Sequence, residues 1–570
     1  MPYRWTSILV WVVVASACSH EREPSGLERS VLRVALDGEP STWNRLLATD
    51  WATHIVTDQL HAPLVRLNPE TQALEPALAE SWEFDEGGTK LVFHLREGLR
   101  FSDGEPFTAR DVEFTFRALH DPRVASPLAD TARIDGEPIE CVVRDDFTVS
   151  FGLPRRTASI ERIFDSIRIL PAHRLERSLE RGTLASDSGL GAAPEGIVGL
   201  GPFRLLRFIP GERILLERNP HYFKPHRDRS AAVESIAFEI IPDANARLLR
   251  LKSGGLDLME LDPLTYQGLL AEAPDEIRLV DMGPSMLSER LWFNLNPDSP
   301  IAEHKKVWFL DVRFRRAVSL SIDREALARV VYAGLASPAV GSVSPANSFW
   351  RNDSIPALGF DTETARALLA EAGFDWDLEG RLVDAGGRRV SFTVLTKSDA
   401  LHSKIGSFLR EDLEAIGVGL RAVPTESSSL ASRIFGSFDY EAALLGISQT
   451  DPDPSAEMAL WMSRAPLHLW HPSQSRAATP WEANIDELME AQAAALDPAL
   501  RRDYFDSVQR IIRENLPVLD LVVPHALLAA DASVLNLRPT PFAHALWNSD
   551  ELAIASVGKS TRYPVRDPRH

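Results

Sequence analysis

The stretch from Leu91 to Leu119 constrains the fold more than any other of its length. Leu91, Phe93 and Leu95 alternate with His94 and Arg96, the two-residue period of a half-buried strand. Gly98 turns the chain, and Ser102-Asp103-Gly104-Glu105-Pro106 turns it again. Thr108 then predicts a helix N-cap, with Asp111 placed for a variant of the capping box. Phe107 and Val112 occupy the two positions of a hydrophobic staple, and Val112, Phe116 and Leu119 make the apolar stripe. Residue chemistry alone gives a strand, two turns and a helix with a firm start.

The segment Leu95-Arg96-Glu97-Gly98-Leu99-Arg100-Phe101-Ser102-Asp103-Gly104-Glu105-Pro106-Phe107-Thr108-Ala109-Arg110-Asp111-Val112 does not stand alone. Val198-Gly199-Leu200-Gly201-Pro202-Phe203, Arg218-Asn219-Pro220-His221-Tyr222 and Ser253-Gly254-Gly255-Leu256-Asp257 follow it. Phe293-Asn294 comes next, then Asp311-Val312-Arg313-Phe314-Arg315-Arg316-Ala317 and Asp323-Arg324, where both aspartates predict helix caps. Ala365–Phe374 and Leu413–Leu420 each predict a helix ending at glycine, and Phe438-Asp439-Tyr440 and Asp451-Pro452-Asp453-Pro454 complete the series. In this order the segments resemble the landmarks of extracellular solute-binding proteins of the peptide/nickel class, family 5, the binding lipoproteins that serve ABC importers. The resemblance runs over roughly residues 31 to 550.

A formal charge of −20, from 61 basic and 81 acidic residues in 570, argues against a nucleic-acid partner, and no lysine- or arginine-rich run is present. The N-terminus reads as a targeting segment. Arg4 supplies the positive region, Ile8–Ala15 an apolar core too short to span a bilayer, and Ala15-Ser16-Ala17-Cys18 its end. Small residues directly before a cysteine look like a bacterial lipobox with lipid on Cys18; the competing reading is an ordinary secretory signal in which Cys18 is incidental. Ser19–Ser30 is polar, with Pro24 and Gly26, as a tether would be. Cys141, the only other cysteine, sits in the apolar run Ile139–Val143 and reads as a buried, inert thiol.

Catalytic constellations are missing: no Gly-x-Ser-x-Gly elbow, no phosphate loop and no His-Glu-x-x-His. Gly199-Leu200-Gly201 lacks the third glycine of a dinucleotide loop, and Pro202 would block its helix. His468 and His471 flank Leu469-Trp470 between two prolines, which favours a loop over a metal-binding helix face. No cofactor and no metal is expected. Thirteen tryptophans are the stronger signal, because a cleft uses flat apolar area that costs little entropy. Trp43, Trp51, Trp350, Trp470 and Trp547 fall in expected loops.

The resemblance implies a bilobal α/β periplasmic-binding-protein-like fold (cluster C type) with an extra accessory lobe. After a signal peptide, 1–17, and a lipidated tether, 18–30, lobe I would comprise 31–65, 197–290 and 520–555. Accessory lobe II would be 66–196 and lobe III 291–519, with two hinge crossings near Glu289 and Leu519. It further implies a monomeric, non-enzymatic binder on the outer face of a bacterial membrane. Such a binder delivers a small solute, peptide or peptide-like, to an ABC permease and ATPase complex. A sensory lipoprotein on the same fold, or a binder of sugar-like or metal-chelate solutes, is the alternative.

Asp50, Trp51, Phe293, Asn294, Trp350, Ser448, Gln449 and Asp451 are the expected ligand contacts. Peptide binders of the family place an aspartate three residues before the acidic-proline pair, and some an arginine six residues earlier. Here those positions hold Ser448 and Ala442, so a neutral cleft is expected. For the anchor, Cys18→Ser should move the protein from membrane to soluble fraction; a variant that stays in the membrane overturns the lipobox.

Overall fold

In the computed structural model, residues 30–224, 232–449 and 451–555 are described, and Cys18 with the targeting segment lies outside them. No described helix is long and apolar enough to cross a membrane. Three sheets organise the chain.

The first sheet has eight strands. At its centre Val31–Leu36 pairs in parallel with Ser235–Ile240 and with Leu258–Glu260. The long strand Val522–Asp531 runs antiparallel to Leu258–Glu260 and to Ile277–Pro284. Helix Trp51–Leu60 lies over this sheet, with Ile55, Val56 and Leu60 in its core.

The second sheet holds the opening stretch of the sequence. Lys90–Leu95 buries Leu91, Phe93 and Leu95 and sits between Ala79–Phe84 and Thr148–Gly152, all antiparallel. Thr148–Gly152 forms a hairpin with Glu140–Asp145. Gly98 and Gly104 take positive φ, as the two turns demand. The capping box closes on helix Ala109–His120, where the Thr108 amide donates to Asp111 at 2.9 Å. Phe107, Val112, Phe116 and Leu119 are all buried beneath it. Cys141 is half-buried here, not fully as expected, and burial pushes its thiol up.

The third sheet places Gly419–Thr425, Ser391–Lys397 and Ala442–Ser448 in parallel, followed by Leu287–Phe293 and Val518–Asp520, both antiparallel to their neighbours. Two short connections carry the chain directly between the first and third sheets, from Pro284 to Leu287 and from Asp520 to Val522. The crossings are bonded side by side: the Leu521 amide donates to the Glu289 carbonyl, and the Ser285 amide to that of Pro524, each at 2.9 Å. They lie a few residues from the expected positions, because Glu289 and Leu519 are already inside strands of the third sheet. Ala336–Pro338 also departs from the expected division: it pairs with Val522–Pro524, at the edge of the first sheet.

Behind the crossings lies a buried polar cluster. Glu289 accepts from the Tyr332 hydroxyl at 3.2 Å and faces the His402 Nε2 at 3.6 Å, while His402 Nδ1 lies 2.8 Å from Asp399. Burial alone would depress the His402 pKa, but Glu289 and Asp399 outweigh it and the value is raised. A raised histidine pKa makes the folded state bind the proton more tightly than the unfolded state does. Its stabilisation is complete below the unfolded value of about 6.5 and is lost as pH rises through the folded one. His402→Asn should therefore lower the urea midpoint more at pH of about 5.5 than at about 8.5; an equal loss at both would overturn the ion-pair account.

Candidate ligand-binding cleft

In open α/β sheets, ligands bind beyond the carboxyl ends of parallel strands. In the first sheet those ends are Leu36, Ile240 and Glu260. They frame a cavity of about 100 Å3 lined by Asp37, Trp51, Arg247, Glu260 and His544 among others. Trp51 is the first residue of its helix, not a loop residue, and is 50% exposed with its ring edge-on to His544.

Asp50, beside it, is a helix cap. It accepts from the Thr53 amide at 2.8 Å and from the Thr53 and Ser41 hydroxyls at 2.7 Å. Burial works against its charge, but these bonds prevail and hold its carboxyl below the ordinary range. Glu260 stands differently. It is open at the cavity mouth, and among the described residues no cation pairs with it within ion-pair distance. Surrounding protein pushes its carboxyl up and Asp37 adds to this, while His544 and the Trp51 indole oppose it. The nearby Arg247 is turned onto the carbonyls of Ile241 and Pro242, and His544 faces Asp58 at 3.4 Å.

On the third sheet, Ser448 ends its strand in the open. Gln449 is buried, and its Nε2 donates to Glu457. Glu457 also accepts from the Trp461 indole at 2.7 Å; burial pushes its carboxyl up to about 7 against the pull of Arg290. Asp451 is held by the guanidinium of Arg162, with Nη2 at 2.7 Å and Nε at 3.0 Å from both oxygens. Burial nevertheless leaves its carboxyl above the ordinary range.

Several expected contacts lie elsewhere. Phe293 is fully buried against Phe309, Phe314 and Phe392. Asn294 holds the loop beside it, donating from Nδ2 to the carbonyls of Phe438 and Tyr440 at 2.9 Å. Trp350 is buried against Phe505 with Arg501 over its face. Trp43 and Trp470 are core residues as well, and Trp547 lies between Arg66 and Arg538. Ala442 is fully buried at the start of its strand, opposite Phe293, so no residue there can offer a charge to a cleft. His468 is likewise buried, with Nδ1 on the Leu460 carbonyl and its ring against Trp470. Among the described residues no group of three ligating side chains could hold a metal.

Sequence reasoning missed Glu260, Arg162 and Glu457. A carboxylate closing the short apolar run Leu258-Met259 carried a signal, since strand ends border clefts. Nothing local marks Arg162, whose partner is 289 residues away.

Residues 73–466 match the family of bacterial extracellular solute-binding proteins, family 5, middle region. The chain is 25% identical over 530 residues to a probable ABC transporter-binding protein of Deinococcus radiodurans, covering 88% of this chain and 87% of that one. It is 25% identical over 555 residues to the oligopeptide-binding protein AppA of Bacillus subtilis, covering 94% and 95%. Its fold matches that of NikA from Brucella suis, solved in complex with Fe(III)-EDTA, with a TM-score of 0.77 at 20% identity over 92% of this chain and 99% of that one. With this bilobal α/β architecture and a match over most of its length, the chain belongs to the bacterial extracellular solute-binding proteins of family 5.

Proposed function

We infer that the chain captures a peptide or peptide-like solute between its first and third sheets and hands it, chemically unchanged, to an ABC permease and ATPase complex. The monomer is the working unit, held at the outer membrane face by lipid on Cys18. The observation that carries this reading is the joining of two α/β sheets by two adjacent crossovers, with Glu260 of the first sheet and Ser448 of the third exposed at the ends of parallel strands. Two sheets so linked can rotate about the crossovers while each keeps its own core, which is hinge closure. The oligopeptide binder AppA among the relatives supports the solute class.

Within the cleft, Trp51 offers a face for stacking, and Glu260 is the carboxylate left for a solute amino group. In place of the neutral cleft expected from Ser448 and Ala442, this reading takes Glu260 as the acidic group, since Asp50 and Asp451 are engaged in a cap and an ion pair. Scanning fluorimetry with di- to pentapeptides, free and N-acetylated, tests the reading. Free peptides should raise the unfolding temperature and shrink the scattering radius. No shift with any peptide, and no change of radius in cell extract, overturns it. With a bound peptide in hand, Trp51→Ala should weaken binding by about 2 kcal/mol, and Ser448→Ala by about 1 kcal/mol. Glu260→Gln should cost affinity for free peptides and spare the acetylated ones; equal loss for both removes Glu260 from the amino-group role.

A further inference from the structure

The segment Ala158–Arg162 leaves the second sheet and reaches the helices and loops of the third. Hydrogen bonds and ion pairs join it to them. The Ala158 amide donates to the Ala493 carbonyl at 2.7 Å, at the end of helix Pro480–Ala494. Arg501, from helix Pro498–Asn515, donates to the Ser159 hydroxyl at 2.7 Å and to the two Asp453 oxygens at 2.8 and 2.6 Å. Arg162 forks onto Asp451 and reaches the Gln72 carbonyl with its remaining nitrogen. The Arg162 and Asp451 side chains are 16% and 21% exposed, and those of Arg501 and Asp453 are buried more deeply. Ser159 takes a left-handed φ of 54°, a conformation a non-glycine residue keeps only where its surroundings fix it.

Apolar packing does not tie these regions together. Ile160 and Phe164 belong to the core of the second sheet, and Trp350, Phe505 and Val508 to that of the third, and the two cores are separate. A junction made of charged forks and single hydrogen bonds can open, because water replaces each bond as it breaks; a shared apolar core cannot be parted so cheaply. The junction also sits on the loop that follows the open end of Ala442–Ser448, immediately after Ser448 and Gln449.

We propose that Ala158–Arg162 is a releasable clasp, in which the accessory region grips the Asp451–Asp453 loop and holds the wall of the cleft that continues from the Ser448–Leu287 pair. Arg162 is its positioning residue: it touches no solute, and it fixes the loop that follows Ser448 and Gln449. This goes beyond the solute-binding reading and needs no solute to be tested.

Hydrogen exchange followed by mass spectrometry on the solute-free, full-length mature protein is the test. In Arg162→Ala, exchange over 156–164 and 451–457 should quicken by about tenfold or more. The strands Lys90–Leu95 and Leu287–Phe293 should keep their wild-type protection. The exchanged pair Arg162→Asp with Asp451→Arg should recover at least part of it, which a purely steric role for Arg162 would not permit. Unchanged exchange in both segments overturns the clasp. Faster exchange spreading into Lys90–Leu95 also overturns it, since Arg162 would then support the accessory fold itself. Should Arg162→Ala fail to fold, Asp451→Asn is read by the same criteria.

Discussion

Arg290 and Asp520 form an ion pair between the two strands that carry the chain from one sheet to the other, and the bilobal architecture depends on it. Arg290 is fully buried, its Nε lies 2.9 Å from Asp520, and its Nη2 donates to the Ser342 carbonyl. Burial pushes the Asp520 carboxyl up, while Arg290 and Arg324 pull it down. A pair so deep gains little net stability over an apolar one, because both ions leave water. What it supplies is register. Arg290 sits directly opposite Asp520, so a slip by one residue would bury each charge without the other and turn every side chain to the wrong face. The two crossings, which run antiparallel, are thereby locked at one height.

The same accounting of charges decides which groups a solute can use. Asp50 spends its oxygens on the start of helix Trp51–Leu60, Asp451 on Arg162, and Asp453 on Arg501. Each of these carboxylates has two or more donors, and a ligand amine would have to displace them. Glu260 has no such set of donors, and the surrounding protein raises its carboxyl pKa.

The second sheet was readable from sequence because all its determinants are local. The alternation of Leu91, Phe93 and Leu95, the glycines at 98 and 104 and the Thr108–Asp111 box each act within a few residues. The caps at Asp311 and Asp323 were legible for the same reason. The cleft was not, because its walls are set by partners far apart in the chain: Arg162 with Asp451, Trp51 with Glu260. Motif residues also misled in an instructive way. Phe293-Asn294 and Phe438-Asp439-Tyr440 are landmarks because Asn294 bonds the two segments to each other, which is a structural duty and leaves neither free for a ligand.

The glycines at 199 and 201 show how such a landmark can still govern the cleft from a distance. A Cβ at Gly199 would collide with the Leu60 carbonyl oxygen, and one at Gly201 with the Gln59 carbonyl oxygen. Only glycine lets this segment lie against the last turn of helix Trp51–Leu60, where the Gly201 amide then donates to Leu60 at 2.9 Å. The helix is ten residues long, so its ends are about 15 Å apart. Its C-terminus is pinned by the two glycines, and its N-terminus presents Trp51 to the cavity. A ten-residue helix does not bend appreciably, so anchoring one end fixes the angle at which the indole meets the cleft. The segment that follows the accessory region thus aims an aromatic face that it never touches. Larger residues at 199 or 201 would act on Trp51 by tilting this lever, through backbone contact alone.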